Sequence, residues 1–555
     1  MNDLSRIPGP DLAKYRRKPE EVMRLSRMGA FHPTRLSFLR QLLRRLEAED
    51  WRFERRAWEI DATGVGHALY SVHGPERSYT LVAFAHDLPD EMRSDRVIAT
   101  AWDATFTLFD GVPEAADIER LRQNVPLQEA GRVSARELSL SRANRSVRLF
   151  DHVVERLAEG RQPEPEMLKT GYLMRTTAVY GSGKFGAADR DLIAGRAELS
   201  SPFQAEMLSV WLIRAFTIDI VEHLARVRGG AKAVRLGAQI KRSLGVGNST
   251  GLGMAPYLVH HPVLINNWMQ AREDALARVR AQPTAGAKEI AGFRAALSAA
   301  SANAALWDSA HPLQMAKLAD LRRDLLVLED WAGEEAAFAS DHPWDGLWRR
   351  AEALSLEGQE ALLAAMLEPH GALIDDLGAR MAADEAAVFR IDGTMSVDAL
   401  RAVLALRYHW AMAPDYEARL QSARFWYVSE EKLEPRLGER YDEPGAEREQ
   451  PLAIGRDAKA LMAALMGRDG AEPVASFLME APEHRHMVRR AQIAARHPFG
   501  EVQDNLIGAD MLPIDLLRCK LSFFGASRFD PRSDRWVRIC LFQDAPAPDE
   551  LLASA

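Results

Sequence analysis

A chain of 555 residues, 47% hydrophobic and 27% charged, has the composition of a globular protein and the length of about two to four domains. With 71 Lys and Arg against 79 Asp and Glu, its formal charge of −8 opposes a general affinity for nucleic acid or anionic membrane. Two cysteines, Cys519 and Cys540, exclude a disulfide framework and a thiolate metal site, and the longest apolar run, Met207 to Val221, is broken by Arg214 and Asp219 before it can cross a bilayer.

Residues 1–27 read as a polar, proline-bearing extension with no apolar core behind a basic start, so no secretory signal is read and the cytoplasm is the expected location. Pro33 to Asp50 predicts a helix, with Leu36, Leu39, Leu42, Leu43 and Leu46 at helical spacing. Aromatic and β-branched segments follow at Trp51 to Ile60, His67 to Val72, Tyr79 to Phe84 and Val97 to Phe109, separated by turn signals at Gly64-Val-Gly66 and Gly74-Pro75. Connections this short select an antiparallel meander, because parallel strands need helical crossovers. Residues 28–135 are therefore expected to form a small α+β unit.

Helical patterns dominate residues 136–393, with Val147 to Leu157, Pro165 to Val179, Pro202 to Arg228, Pro262 to Ala281 and Lys288 to Leu306 as the leading segments. Pro202 to Arg228 opens with Ser200-Ser201-Pro202, closes at Gly229-Gly230 and is apolar almost all round, the pattern of a central helix packed on several sides. Residues 394–555 read as a second mixed region. Phe425 to Val428, Lys520 to Phe524 and Trp536 to Phe542 predict strands, the last two joined by a turn at Asp530-Pro531. Arg436 to Gln450 predicts a surface loop or lid, and the tail from Ala545 is expected to be loose. Arg-Ser-Asp-Arg recurs at 93–96 and 532–535, which raises a relation between the two mixed regions. The expected fold is a helix-rich α+β protein: a mixed N-terminal unit with an antiparallel sheet, a central helical body and a mixed C-terminal unit.

Two glycine- and hydroxyl-rich segments flank the Pro202 to Arg228 helix. Gly181, Ser182, Gly183 and Lys184 form one; Gly247, Asn248, Ser249, Thr250 and Gly251 form the heart of the other. Glycine lets backbone N–H groups approach an anion, while Lys, Asn, Ser and Thr add side-chain hydrogen bonds. The first is not a phosphate-cradling P-loop, since Phe185 stands where Ser or Thr is required and the preceding pattern reads as helix; its alternative reading is a helix–helix connection ended by glycine. The second departs from the dinucleotide fingerprint and follows no predicted strand, which excludes a Rossmann reading. Its glycine density raises unfolded-state entropy, a cost that favours a ligand site over a plain connector.

His32, His261, His311, His342 and His497 each precede proline, a pattern that argues for structural roles in most of them. His260 stands apart as an acid–base candidate, followed by Asn266, Gln270 and Glu273 on one helical face, of which Gln270 and Glu273 are expected to meet solvent. His497 is a second candidate base, oriented by Glu501 or Asp504; the alternative, which the residues favour, is a capped loop held by salt bridges. Glu483-His484-Arg485-His486 diverges on a helix, so no metal site is expected. Arg424-Phe-Trp-Tyr427 offers stacking and cationic contacts, or equally a core strand. These residues lead to a cytoplasmic enzyme of small-molecule metabolism that binds an anionic substrate or cofactor, with group transfer ahead of hydrolysis because no activated nucleophile or metal site can be read. The alternative is a non-catalytic metabolite-binding or scaffold protein. The cofactor stays unknown; the expected partner is a small anionic ligand, without nucleic acid or membrane, and a homo-oligomer is left open.

Overall fold

Six consecutive strands pair with their neighbours in sequence, all antiparallel: β1 (Arg52–Ile60), β2 (Gly66–His73), β3 (Ser78–Ala85), β4 (Ala104–Asp110), β5 (Glu137–Arg145) and β6 (Tyr172–Thr176). This computed structural model describes residues 12–89, 91, 101–127, 130–176, 190–193, 195–248, 262–381, 390–416, 454–504, 515–526 and 539–554. Three short strands complete the sheet: β7 (Gly245–Asn248), parallel to β6; β8 (Ile539–Leu541), antiparallel to β7; and β9 (Ala553–Ser554), parallel to β1. The full order is β8-β7-β6-β5-β4-β3-β2-β1-β9. The meander expected from the short connections is present, and the protein is a helix-rich α+β fold.

Alternation along the strands supplies two apolar faces. Leu69, Val82, Phe84 and Leu140 form a small core with Leu121 and Val125, which lie on and just beyond a helix at Ala115–Asn124. Tyr70, Leu81, Ala83, Phe106 and Leu108 face the main core. We label the helices that matter below α1 (Phe38–Ala48), α2 (Ala115–Asn124), α3 (Gln204–Gly229), α4 (Pro262–Arg280), α5 (Ala287–Leu306), α6 (Pro312–Gly333), α7 (Leu356–Leu367), α8 (Arg485–Arg496) and α9 (Asp515–Phe524). Helix α3 lies across the main-core face, where Phe216 meets Tyr70 and Phe106 edge to face at 6.4 and 5.5 Å. Each large apolar side chain buried there contributes about 1.5–3 kcal/mol relative to exposure.

The two charges that interrupt α3 are both satisfied. Asp219 accepts from Tyr70 Oη at 2.8 Å and Arg55 Nη1 at 3.1 Å. Arg214, only 1% exposed, donates to the carbonyls of Leu244 (2.6 Å), Lys241 (2.8 Å) and Ala545 (2.8 Å), and more distantly to Arg242 and Pro546. Burial pushes this guanidinium down to about 10. Trp211 Nε1 also donates to Pro546 O at 3.0 Å. The tail expected to be loose is therefore ordered: these donors hold it, Pro548–Leu551 forms a helical turn, and β9 pairs with β1.

Other segments depart from expectation for local reasons. The described part of the segment expected as a Pro165 to Val179 helix, up to Thr176, is a 3-10 turn followed by β6, because pairing with β5 and β7 outweighs the helix preference of Leu and Met. Gly245–Asn248 is a strand rather than loop. Lys520 to Phe524 belongs to α9; a short apolar run fits either period. Helix α1 starts at Phe38 rather than Pro33, since Thr34 N donates to Ser37 Oγ and Leu36 N to Thr34 Oγ1, holding a turn. Helix α3 starts after Phe203, at φ +58°, rather than at a Ser200-Ser201-Pro202 cap. The readings at 93–96, Phe425 to Val428, Arg436 to Gln450, Asp530-Pro531 and 532–535 lie outside the described residues. Among the described residues no helix is long and apolar enough to cross a membrane.

Replacing Arg214 with Met should lower unfolding stability by about 3 kcal/mol or more in urea titration, because buried carbonyls lose their donor. Limited proteolysis should then cut the chain after Phe542 faster than in the wild type; unchanged stability would show that the tail does not depend on this side chain.

Candidate functional site

The short parallel pair carries two of the sequence candidates, Gly247 and Asn248. β6 and β7 pair in register at Tyr172↔Gly245, Arg175↔Gly247 and Thr176↔Asn248, with α3 in the crossover between them. The two strands run in the same direction and are described to Thr176 and Asn248, which in sequence precede the Gly181–Lys184 segment and Ser249. Thr176 and Asn248 are buried at these ends. Among the described residues β5 pairs with β6 at Ala143, Asn144 and Arg145, with Ala143 opposite Thr176. Arg142 is the first β5 residue beyond the Thr176 level, with its guanidinium 4.3 Å from the Trp102 ring centroid. Further along, Ser139 Oγ lies 2.8 Å from Ser209 Oγ in the second turn of α3, which brings the amino end of that helix to the same end of the sheet.

Two glycines of the second segment are required by packing. A Cβ on Gly247 would lie 2.8 Å from the Tyr172 ring, and one on Gly245 would lie 2.3 Å from Leu541 O and 2.7 Å from Cys540 Sγ. Gly181, Ser182, Gly183, Lys184, Ser249, Thr250, Gly251 and His260 lie outside the described residues.

His497 follows α8 in a turn that docks on the start of α4. Phe499 N donates to Asn266 Oδ1 at 3.1 Å, and a Cβ on Gly500 would lie 2.7 Å from Pro262 O. The His497 turn therefore abuts the helix that begins two residues after His260. Burial and the neighbouring Arg496 lower the imidazole's pKa. Glu501 spends its carboxylate elsewhere: Arg490 grips it with Nε at 2.6 Å and Nη2 at 2.9 Å, and Tyr408 Oη donates at 2.9 Å. Asp504 accepts from Arg24 Nε at 2.5 Å. Among the described residues no carboxylate hydrogen-bonds to His497. His311 caps α6 through Nδ1. His484 stacks on Phe477. Among the described residues no group of three or more His, Cys, Asp or Glu side chains is placed to hold a metal ion.

A buried ionic seam escaped sequence reading altogether. Glu273, expected on a solvated face, is fully buried and forked by Arg17 Nε and Nη2 at 2.8 and 2.6 Å, whereas Gln270 is exposed. Glu360 on α7 accepts from Arg17 Nη1 at 2.7 Å, Arg27 Nη1 at 2.9 Å and Arg272 Nη2. Burial alone would raise the Glu360 carboxyl; the guanidinia of Arg17, Arg272 and Arg27 reverse that and hold it well below the usual range. One turn back, Glu357 takes Arg518 Nη2 at 2.9 Å, while Asp515 takes Lys317 Nζ at 2.6 Å and Gln314 Nε2 at 3.1 Å. Arg17 and Glu360 stand 343 positions apart, so no local spacing could reveal the pair.

No protein-family model, no curated protein and no solved structure matches this chain. The local geometry alone therefore carries the functional argument.

Glu360→Gln should cost about 3–5 kcal/mol at pH 7, because buried guanidinia lose their compensating charge. The folded-state carboxyl is depressed, so its stabilisation is complete above the unfolded value near pH 4.5 and is lost as pH falls below it. Denaturant titrations from pH 7 to pH 3 should thus show the gap between wild type and variant narrowing in acid; a constant gap would refute the electrostatic assignment.

Proposed function

We propose that this protein is an enzyme of small-molecule metabolism, of the group-transfer class, that holds an anionic substrate or cofactor where β6 and β7 end. The supporting observation is the release of both glycine-rich segments from one end of two adjacent parallel strands. Ligands of open sheets containing parallel strands settle outside the carboxyl ends, where connections part. Here Arg142 stands on β5 one position beyond the partner of Thr176, and the amino end of α3 brings positive dipole to the same end of the sheet. Anion ligation falls to Lys184, Ser182 and the N–H groups of Gly181 and Gly183 on one side. Asn248, Ser249, Thr250 and the N–H groups around Gly247 and Gly251 serve on the other.

The acid–base group is His260 or His497. A lowered pKa keeps the His497 imidazole neutral at pH 7, the state a general base requires. Glu501 serves as a positioning residue: its ion pair with Arg490 fixes the turn that carries His497 onto α4.

Mass spectrometry of the natively purified chain should find a bound anion that the denatured chain releases. A Lys184→Ala, Arg142→Gln double variant should bind it about tenfold or more weakly, the worth of one charge-assisted hydrogen bond. Retention at wild-type occupancy would remove the anion from this site. If neither a co-purified anion nor added anionic metabolites stabilise the wild type, the reading fails and the scaffold alternative takes its place.

A further inference from the structure

Strand register gathers a row of polar side chains on the face of the sheet that turns away from α3. Ala143 stands opposite Thr176 and Asn144 opposite Arg175, so Arg142, Asn144 and Arg175 share one face, with the two arginines diagonal to each other at about 7–8 Å between backbones. Thr105 of β4 stands opposite both Arg142 of β5 and Phe84 of β3, on the face that carries the small core of Val82, Phe84 and Leu140. His86 follows Phe84 by two positions and lies on the same face. Its backbone N donates to Asp103 O at 2.9 Å, and its Nε2 lies 2.9 Å from Thr105 Oγ1.

The surroundings of this row are fixed. Asp103 N donates to Asn144 Oδ1 at 2.9 Å, and Asn144 Nδ2 donates to Ala101 O at 3.1 Å, which sets the Trp102 ring against the Arg142 guanidinium. The Asp103 carboxylate accepts from Arg145 N at 2.9 Å and lies 3.7 Å from Arg145 Nε. Half-buried His86 has a ring nitrogen to spare: among the described residues nothing hydrogen-bonds to its Nδ1. Burial lowers its pKa and the Asp103 charge partly offsets that, so the ring is neutral at pH 7. The other charged and titratable groups around it on this face are His67 of β2, which Arg122 and Glu59 approach, and Arg142 of β5.

We propose that the anion of the site above is a phosphate group, held on this face between Arg142 and Arg175, with His86 Nδ1 in contact with one of its oxygens. This placement rests on the anion reading and narrows it. Two guanidinia diagonal on one face favour a dianion between them, and their planar forks match the several oxygens of a phosphate better than the two of a carboxylate. A dianion in contact with a neutral imidazole favours its charged form, so phosphate binding draws a proton from solvent onto His86. The imidazolium then donates to a phosphate oxygen, which adds a proton donor at the anion itself to the acid–base candidates His260 and His497.

Inorganic phosphate is the probe, added to the full-length chain. NMR of histidine Cε1–H resonances, with His86 assigned by its loss in His86→Gln, should show His86 titrating about one pH unit or more higher at saturating phosphate. By linkage that is about a tenfold tighter hold on phosphate by the protonated ring. Acetate at the same ionic strength should leave the His86 titration in place. Arg175→Gln, at a half-buried position, should weaken phosphate about tenfold or more and reduce the shift, with native circular dichroism. Phosphate that binds and is weakened by Lys184→Ala, yet leaves the wild-type His86 titration unmoved, overturns this placement while the anion reading stands. Equal phosphate affinity in wild type and folded Arg175→Gln overturns it as well. Absence of saturable phosphate binding overturns the proposal, and absence of binding by any added anion removes the anion reading with it.

Discussion

Glu360 is the constraint around which the helical half of the protein is organised. A carboxylate with no solvent contact costs several kcal/mol to bury, and it is tolerated only when hydrogen-bonded cations surround it. Those three cations come from two places: Arg17 and Arg27 from the N-terminal extension, and Arg272 from α4. Arg17 also forks Glu273, and Arg272 lies 4.0 Å from the Phe31 ring centroid. None of these charges can be buried alone, so the extension, α4 and α7 must assemble together. Glu357, one turn away on α7, extends the same demand to Arg518 and so to α9. The seam also sets the chemistry of its surroundings: burial with Arg518 and Arg272 nearby keeps His32 neutral.

The sheet is held by a complementary device. Where the seam gathers charges against charges, Arg214 gathers main-chain carbonyls. A guanidinium has five N–H donors in a fixed plane, and here they bridge the turn before β7 to the tail that becomes β9. The two ends of the sheet, β7–β8 and β1–β9, are thereby tied to one residue in the middle of α3. That is why a helix otherwise apolar on every side keeps a cation at its centre.

The legible parts of the sequence were those with strong local period. β1 to β3, α3, α4 and α5 follow from alternation or helical spacing within a few residues of their observed limits, while the strand expected from Val97 begins only at Ala104. Misreadings fell where partners distant in sequence decide the outcome. β6 has a helix-like composition but sits between β5 and β7, and α9 has a strand-like apolar run but packs on α1 and the Leu25–Met28 turn. Glu273 reads as a solvent-facing carboxylate until Arg17, 256 positions earlier, arrives. For the site, the two glycine-rich segments were legible as unusual composition, while Arg142 and the parallel pairing that joins the segments were not. His32 was legible only as a residue before proline.

The meaning of the glycines changes once the strand is recognised. Gly245 and Gly247 are accounted for by the Leu541 carbonyl, the Cys540 sulfur and the Tyr172 ring, so they are no argument for a ligand. That removes half of the composition signal and concentrates the rest beyond Asn248, where Ser249, Thr250, Gly251 and Gly253 follow the strand end directly. Pairing with β6 strengthens the positional argument at the same time, because a strand–helix–strand crossover brings two such segments to one end of the sheet without any need for them to resemble a known motif. A P-loop is excluded by Ala178, which stands where its first glycine is required, and by Phe185, which stands where Ser or Thr is required, although β6 does precede the Gly181–Lys184 segment. Phe185 leaves no hydroxyl after Lys184 to ligate magnesium, so the proposed site is argued from N–H groups and fixed cations rather than from metal-assisted phosphate transfer.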